Sequence, residues 1–175
     1  MCIRDSITMV DSCDQLHKLS DKWVFWAHLP HDIDWSMKSY HKLITVSSLE
    51  EVINIANIVP EEMICNCMIF VMRDGINPLW EDENNKKGGS FSFKVDNDKI
   101  YELWKDMVYL LVGEYVLNNE NDMKKVNGIT ISPKKNFSIM KIWLRDCTIQ
   151  NPKLIHILPQ LDINGVLFKK HNPQY

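Results

Sequence analysis

Residues Arg73 to Val95 read RDGINPLWEDENNKKGGSFSFKV. Arg73-Asp74-Gly75 and Pro78 are turn signals, and Gly88-Gly89 permits a reversal into Ser90-Phe91-Ser92-Phe93-Lys94-Val95. There apolar and polar residues alternate with the period of a strand that buries one face. Between turn and strand stands Trp80, a large apolar ring at the head of a run of acids, amides and lysines. Such a ring either folds back to cap a core while its N–H finds a partner, or it offers its face to a planar base beside a carboxylate that bonds the base's edge. The loop by itself leaves both open, packing being the commoner role.

The flanking segments supply the frame. Lys22-Trp23-Val24-Phe25-Trp26-Ala27-His28 is apolar on both faces of a period-2 pattern and reads as a strand buried on both sides. A second strand spans His41 to Val46, after a loop holding Trp35. Ser48-Leu49-Glu50-Glu51 has the form of a capping box, and Leu49, Val52, Ile53 and Ala56 follow at i, i+3, i+4, i+7 as a short amphipathic helix. Asn66 to Met72 is the next apolar strand. Asp98 stands where it can cap a helix whose Ile100, Leu103, Trp104, Met107, Leu110 and Leu111 form one apolar stripe ending at Gly113, with Glu102, Lys105, Asp106 and Tyr109 opposite. Strands follow at Ile129 to Ser132 and Ile139 to Leu144, then a short helix around Asn151 to Leu158 and a last strand near Val166 to Lys170. Strands joined by hairpin-like turns, with helices interspersed, imply the α+β class, an antiparallel sheet with helices on one face.

Composition narrows the function classes. A chain of 175 residues with 45% hydrophobic and 25% charged content is that of one domain with a sizeable core. A net charge of −3 argues against coating nucleic acid through its phosphates, which relies on a broad basic surface, while leaving room for a local basic site. The five cysteines are odd in number, and Cys65-Asn66-Cys67 is too tight for an ordinary bridge, so reduced thiols in a cytoplasmic protein are expected. No apolar run approaches the ~20 residues of a membrane span. Met1-Cys2-Ile3-Arg4-Asp5 back-translates to the end of a sequencing-library adapter. Residues 1–16 are therefore read as a disordered tail that starts on a scar, and residues 17–175 as the domain.

The residue patterns of catalysis are missing. There is no Gly-rich phosphate loop, no G-x-S-x-G and no His/Cys/Asp cluster at metal spacing. His28-Leu29-Pro30-His31 comes nearest to a metal pair, yet without companion ligands it reads as a solvated loop. Glu81-Asp82-Glu83 reads as a solvated acidic face. Neither an enzyme, a cofactor nor a metal is expected.

Trp23-Val24-Phe25-Trp26, the stretch from Arg73 to Gly89, Leu103-Trp104 with Gly113-Glu114, and Lys141-Ile142-Trp143 together resemble the eukaryotic translation initiation factor 4E family, whose members bind the messenger-RNA cap. The match runs in order from about His17 to Lys170, and its DGI-x-P-x-WEDE-x-N-x-x-GG core is long enough to be specific. The resemblance implies a divergent member with a single curved antiparallel sheet of about eight strands, three helices on the convex face and the cap site in the concave face.

The implied site sandwiches 7-methylguanosine between Trp35 and Trp80. Methylation makes the base cationic, so each ring gains a cation–π contribution of ~0.5–2 kcal/mol beyond stacking. Glu81 accepts the N1–H and N2–H of guanine in charge-assisted bonds worth about 1.5–3 kcal/mol each when sheltered. Trp143 touches the N7 methyl group, and Lys134, Lys135 and Lys141 are the candidates for the triphosphate. Because residues 139, 141 and 143 of a strand point one way, Lys141 faces the side of Trp143. Lys169 and Lys170 are further candidates, with solvated surface the simpler reading.

The family docks scaffold factor 4G and inhibitory binding proteins, through a Y-x-x-x-x-L-Φ helix, on the convex side. The matching positions read Ile53, Lys105 and Asp106, with Leu49 and Tyr109 nearby and His17-Lys18-Leu19 where His-Pro-Leu is usual, and an anchoring Trp is replaced by Ile53. An interface Trp can be worth 2 kcal/mol or more, so ordinary partners are expected to bind weakly there. Three functions of different class follow: a cap-binding initiation factor, a cap-binding competitor that recruits no scaffold, and, remotely, a cap-processing enzyme. The expected state is a cytoplasmic monomer whose partners are capped messenger RNA and those helices, with no membrane association.

Overall fold

Strand β1 (Lys18–His28) buries both faces over its second half, with Trp23, Phe25 and Ala27 toward the helices and Val24 and His28 toward the opposite side. The computed structural model, which describes residues 16–173, builds a seven-stranded sheet around it. The other strands are β2 (Tyr40–Ser48), β3 (Met68–Arg73), β4 (Gly89–Val95), β5 (Val126–Pro133), β6 (Ser138–Leu144) and β7 (Leu167–Lys170). Their order is β2-β1-β3-β5-β6-β4-β7, antiparallel throughout. All seven strands read from the sequence are present. The eighth implied by resemblance is not found among the described residues, where the stretch near Leu117 meets Ile155 in one isolated bridge, too short for a strand. Of the tail expected at residues 1–16, residues 1–15 lie outside the described residues.

Three α-helices, α1 (Leu49–Ile58), α2 (Glu61–Asn66) and α3 (Ile100–Val112), cover one face. The capping box forms as read, Ser48 accepting from the Glu51 N–H while the Glu51 carboxylate accepts from the Ser48 N–H. Three expectations need correction. Asn66 ends α2 and opens no strand, its side chain donating to the Glu62 carbonyl. Asp98 does not cap α3: the Lys99 N–H closes a turn onto the Asp96 carbonyl, and Lys99 enters the helix already in the αR region. The helix around residues 151–158 is a single 3-10 turn at Pro152–Leu154, because the His156 N–H goes to the Val116 carbonyl and the Leu154 carbonyl takes the Asn118 N–H.

The main core lies between sheet and helices, where Trp23, Phe25, Phe91, Phe93, Leu103, Trp104 and Met107 are fully buried. At about 1.5–3 kcal/mol per large side chain, this layer is the chief stabiliser. A smaller cluster on the other face joins Tyr40, Phe70, Met72, Ile76 and Trp143, with Leu79 and Trp80 packed against it. The glycine pair also works differently from expectation. Gly75 is the glycine with positive φ, +82°. Gly88 and Gly89 are needed for close approach, since a Cβ on Gly88 would strike the Leu144 carbonyl oxygen and one on Gly89 the Phe168 ring.

Candidate functional site

Cross-strand register assembles the face opposite the helices. Trp26 pairs with Phe70, Phe70 with Thr130, and Thr130 with Lys141. One step along, Trp143 and Lys169 both pair with Ser90. Partners in register share a face, so these side chains line the surface the helices leave uncovered.

The loop between β3 and β4 is held by its own polar residues. Asp82 accepts from the backbone N–H groups of Asn77 and Asn84, at 3.0 and 2.9 Å. Asn85, with no solvent exposure, donates to the carbonyls of Asn77 and Leu79 at 2.9 and 2.8 Å, and its Oδ1 accepts from Asn127. Asn127 donates also to the Asn84 carbonyl. The run after Trp80 is therefore a buried clasp in part, and the reading of Glu81-Asp82-Glu83 as a wholly solvated face fails at Asp82.

On this scaffold the rings form an unbroken arc. Trp35 lies parallel to His28, centroids 4.3 Å apart and planes 4° apart. His28 meets Tyr40 at 5.1 Å, Tyr40 meets Phe70 at 5.4 Å, and Phe70 meets Trp143 at 6.3 Å. Trp143 meets His171 at 4.9 Å, and His171 lies nearly parallel to Trp80, 11° apart at 5.8 Å in an offset stack. Trp143 is buried and its Nε1–H donates to Thr130 Oγ1 at 2.7 Å. Trp80 is half-buried and Trp35 is 56% exposed. No ring contact joins Trp35 to Trp80 among the described residues; each end of the arc has its own histidine.

Trp35 owes its place to a short turn. Asp34 accepts from the Ser36 N–H and hydroxyl, and these bonds, the backbone one first, hold its carboxyl below the usual carboxylate range. The Asp34 carbonyl accepts from His28 Nε2–H at 2.9 Å. His28, read from sequence as part of a solvated loop, is 2% exposed. It is a stacking partner.

Charge gathers around the same rings. Burial, with the nearby Glu81 carboxylate adding, pushes the Tyr40 phenol up to about 12. Burial, then the positive charges of Lys134 and Lys169, pushes the Lys141 ammonium below its usual range. Lys141 Nζ lies 5.8 Å from the Trp80 centroid. Lys134 and Lys169 thus lie within electrostatic reach of Lys141, while Lys135 is exposed and outside that group. His171 and Asn85 were not singled out from sequence, since a lone His after the last strand and one Asn in a polar run carry no spacing signal.

The helix side holds the remaining named residues. Leu49, Ile53 and Tyr109 are 39%, 41% and 36% exposed. His17 Nδ1 lies 2.6 Å from Glu50, Lys105 pairs with Glu102 at 3.0 Å, and Asp106 accepts from Gln160 at 3.1 Å. Among the described residues no helix is long and apolar enough to cross a membrane.

Residues 18–172 match the family model described as Eukaryotic initiation factor 4E. The chain is 32% identical over 187 residues to Eukaryotic translation initiation factor 4E of Candida albicans, covering 96% of this chain and 87% of that protein. It is 44% identical over 63 residues to the initiation factor 4E homolog of Acanthamoeba polyphaga mimivirus, covering 36% of this chain and 23% of that one. Against Eremothecium gossypii initiation factor 4E it is 30% identical, over 75% of this chain and 64% of that protein. Among solved structures, Ascaris suum eIF4E-3 in complex with an m7G cap matches with a TM-score of 0.68 at 21% identity, covering 76% of each chain. Schistosome eIF4E, complexed with m7GpppG and 4E-BP, matches with a TM-score of 0.68 at 22% identity, covering 77% of this chain and 75% of that one. These two likenesses are of fold. With a single curved antiparallel sheet, helices on one face and a family match over nearly its whole described length, the chain belongs to the eukaryotic initiation factor 4E family.

Proposed function

We propose that this protein binds the 7-methylguanosine 5′ cap of messenger RNA on the concave face and acts in translation initiation in the cytoplasm, as a monomer. The observation that carries the reading is the arc of rings whose two ends, Trp35 and Trp80, are backed by histidines and still partly exposed. A cationic base closes the arc by entering between those ends, gaining a cation–π contribution of ~0.5–2 kcal/mol from each. Glu81 takes the N1–H and N2–H of guanine, which adenine cannot offer as a pair. Trp143 contacts the N7 methyl group. Lys134 and Lys141, joined by Lys169, meet the triphosphate, and the repulsion that Lys134 and Lys169 exert on Lys141 is relieved by the anion.

This is binding chemistry and not catalysis. 7-Methyl-GTP is expected to quench the intrinsic tryptophan fluorescence at least tenfold more tightly than GTP, and Trp80→Ala or Glu81→Ala to abolish the difference. Equal affinity for the two nucleotides rejects the reading.

A second reading, a cap-binding competitor, is favoured by the convex face. Ile53 offers far less area than an anchoring Trp, Lys105 is paired to Glu102, and Asp106 is engaged by Gln160. Capture of a Y-x-x-x-x-L-Φ peptide or of a scaffold 4G separates the initiator from the competitor, which binds neither. Capped RNA recovered chemically unchanged after incubation disposes of a processing enzyme.

A further inference from the structure

His171 is 8% exposed, wedged between Trp80 and Trp143, and comes from a segment far from either in sequence. Two bonds tie it to the loop that carries Trp80. Its backbone N–H donates to the Gly88 carbonyl at 3.0 Å, and its Nδ1 lies 2.8 Å from the Asn85 carbonyl. A carbonyl only accepts, so Nδ1 carries the proton and Nε2 keeps a lone pair, buried and without a partner. The same Asn85 holds the Asn77 and Leu79 carbonyls, just ahead of Trp80, through its side chain. One residue thus connects the imidazole to the backbone that aims the indole.

We propose that His171 is a positioning residue for Trp80: clamped to Asn85 as a neutral imidazole, it backs one face of the indole and holds the ring for a cationic base on the other. The proposal rests on the cap-binding reading above. Neutrality matters because the base is itself a cation. With the Lys141 ammonium already 5.8 Å from the centroid of the same indole, an imidazolium in contact with it would add a second competing cation and repel the incoming charge further. Burial and the Lys141 charge work in that direction, against the Asn85 carbonyl, which holds the proton on Nδ1 but by itself favours the charged ring. The pattern recurs at the other end of the arc, where His28 bonds the Asp34 carbonyl and stacks on Trp35.

The test uses the full chain, 7-methyl-GTP and GTP, with fluorescence titration from pH 7.5 to 5.5 and a melting curve for every variant. His171→Asn keeps a donor toward the Asn85 carbonyl and loses the ring. His171→Phe keeps a ring and loses the donor and the titration. His171→Asn and His171→Ala are expected to lose about tenfold in 7-methyl-GTP affinity. His171→Phe is expected to stay within about threefold of the wild type and to lose less affinity than it as the pH falls. His171→Asn and His171→Ala binding as tightly as the wild type, with melting points to match, overturns the role, and tighter binding shows instead that the imidazole occupies the face the base needs. An unaltered pH profile in His171→Phe overturns the requirement for a neutral ring. A wild type that binds both nucleotides alike rejects cap binding itself and this proposal with it, an outcome visible before any variant is made.

Discussion

Arg73 and Glu114 form a two-pronged ion pair, both guanidinium nitrogens Nη1 and Nη2 lying 2.8 Å from the carboxylate oxygens. The remaining donors of Arg73 reach Asp21 and the carbonyls of Val126 and Met123, and the guanidinium lies 4.5 Å from the centroid of the Trp23 ring. A guanidinium with every N–H engaged is well compensated for burial, and one stripped of its main counter-ion is not. Glu114→Ala is therefore expected to destabilise the fold by about 2–4 kcal/mol, below the 3–5 of a fully buried pair because Glu114 keeps 24% side-chain exposure. Urea unfolding with unchanged m-value checks it; a loss under about 0.5 kcal/mol rejects the keystone role.

Asn85 carries a different expectation. Asn85→Ala strips two carbonyls and Asn127 of their partner in a buried place, at about 1–3 kcal/mol for the group left unsatisfied. Because those carbonyls flank Trp80, nucleotide affinity is expected to fall along with stability. Asn85→Asp cannot donate to either carbonyl and is expected to do no better. Thermal melting and 7-methyl-GTP titration on the same samples decide it, and a destabilised variant with undiminished affinity would separate the clasp from the site.

The pH dependence of stability follows from His171. Burial, with the Lys141 charge adding and outweighing the pull of the Asn85 carbonyl, sets the folded imidazole below its ordinary 6.5. The unfolded chain takes the proton first as pH falls, so unfolding gains protons and stability drops. This contribution is complete above 6.5 and is lost as pH falls through the folded value. Denaturant midpoints for wild type and His171→Phe are expected to diverge in slope below pH 6.5, the variant being flatter. Parallel curves would contradict the burial argument.

What sequence made legible was whatever is local. Short apolar runs bounded by turn signals, with clean alternation at Ser90 to Val95, marked the seven strands, the S-x-x-E pattern marked the start of α1, and one broad apolar stripe marked α3. The six-residue α2 was missed although Pro60 and two acids open it, because one and a half turns leave no periodicity to count. The short helix read after Asn151 was overridden by backbone bonds to Val116 and Asn118, which no local pattern reports. The site divides the same way. Trp80 and Glu81 stood in a specific motif, whereas His171 reaches the Asn85 carbonyl across 86 positions. Arg73 looked like the first residue of a turn, and its five donors point elsewhere in the fold.

The lysines give the sharpest test of the phosphate end. Lys141 Nζ lies 5.8 Å from the Trp80 centroid with Lys134 and Lys169 within electrostatic reach, and its ammonium is pushed below the usual range by burial and by those two charges. A triphosphate at that point would stabilise all three charges. Lys141→Met is expected to weaken 7-methyl-GTP binding about ten- to thirtyfold and 7-methylguanosine, which has no phosphate, by less than threefold. Lys169→Met follows in the same direction with a smaller loss, and Lys135→Met, at an exposed position outside the group, leaves both ligands unaffected. The wild-type affinity for the triphosphate is also expected to fall with added salt more steeply than that of the Lys141→Met variant. An equal loss for nucleoside and nucleotide would place Lys141 with the rings, as a support for Trp80, and remove it from the phosphate site.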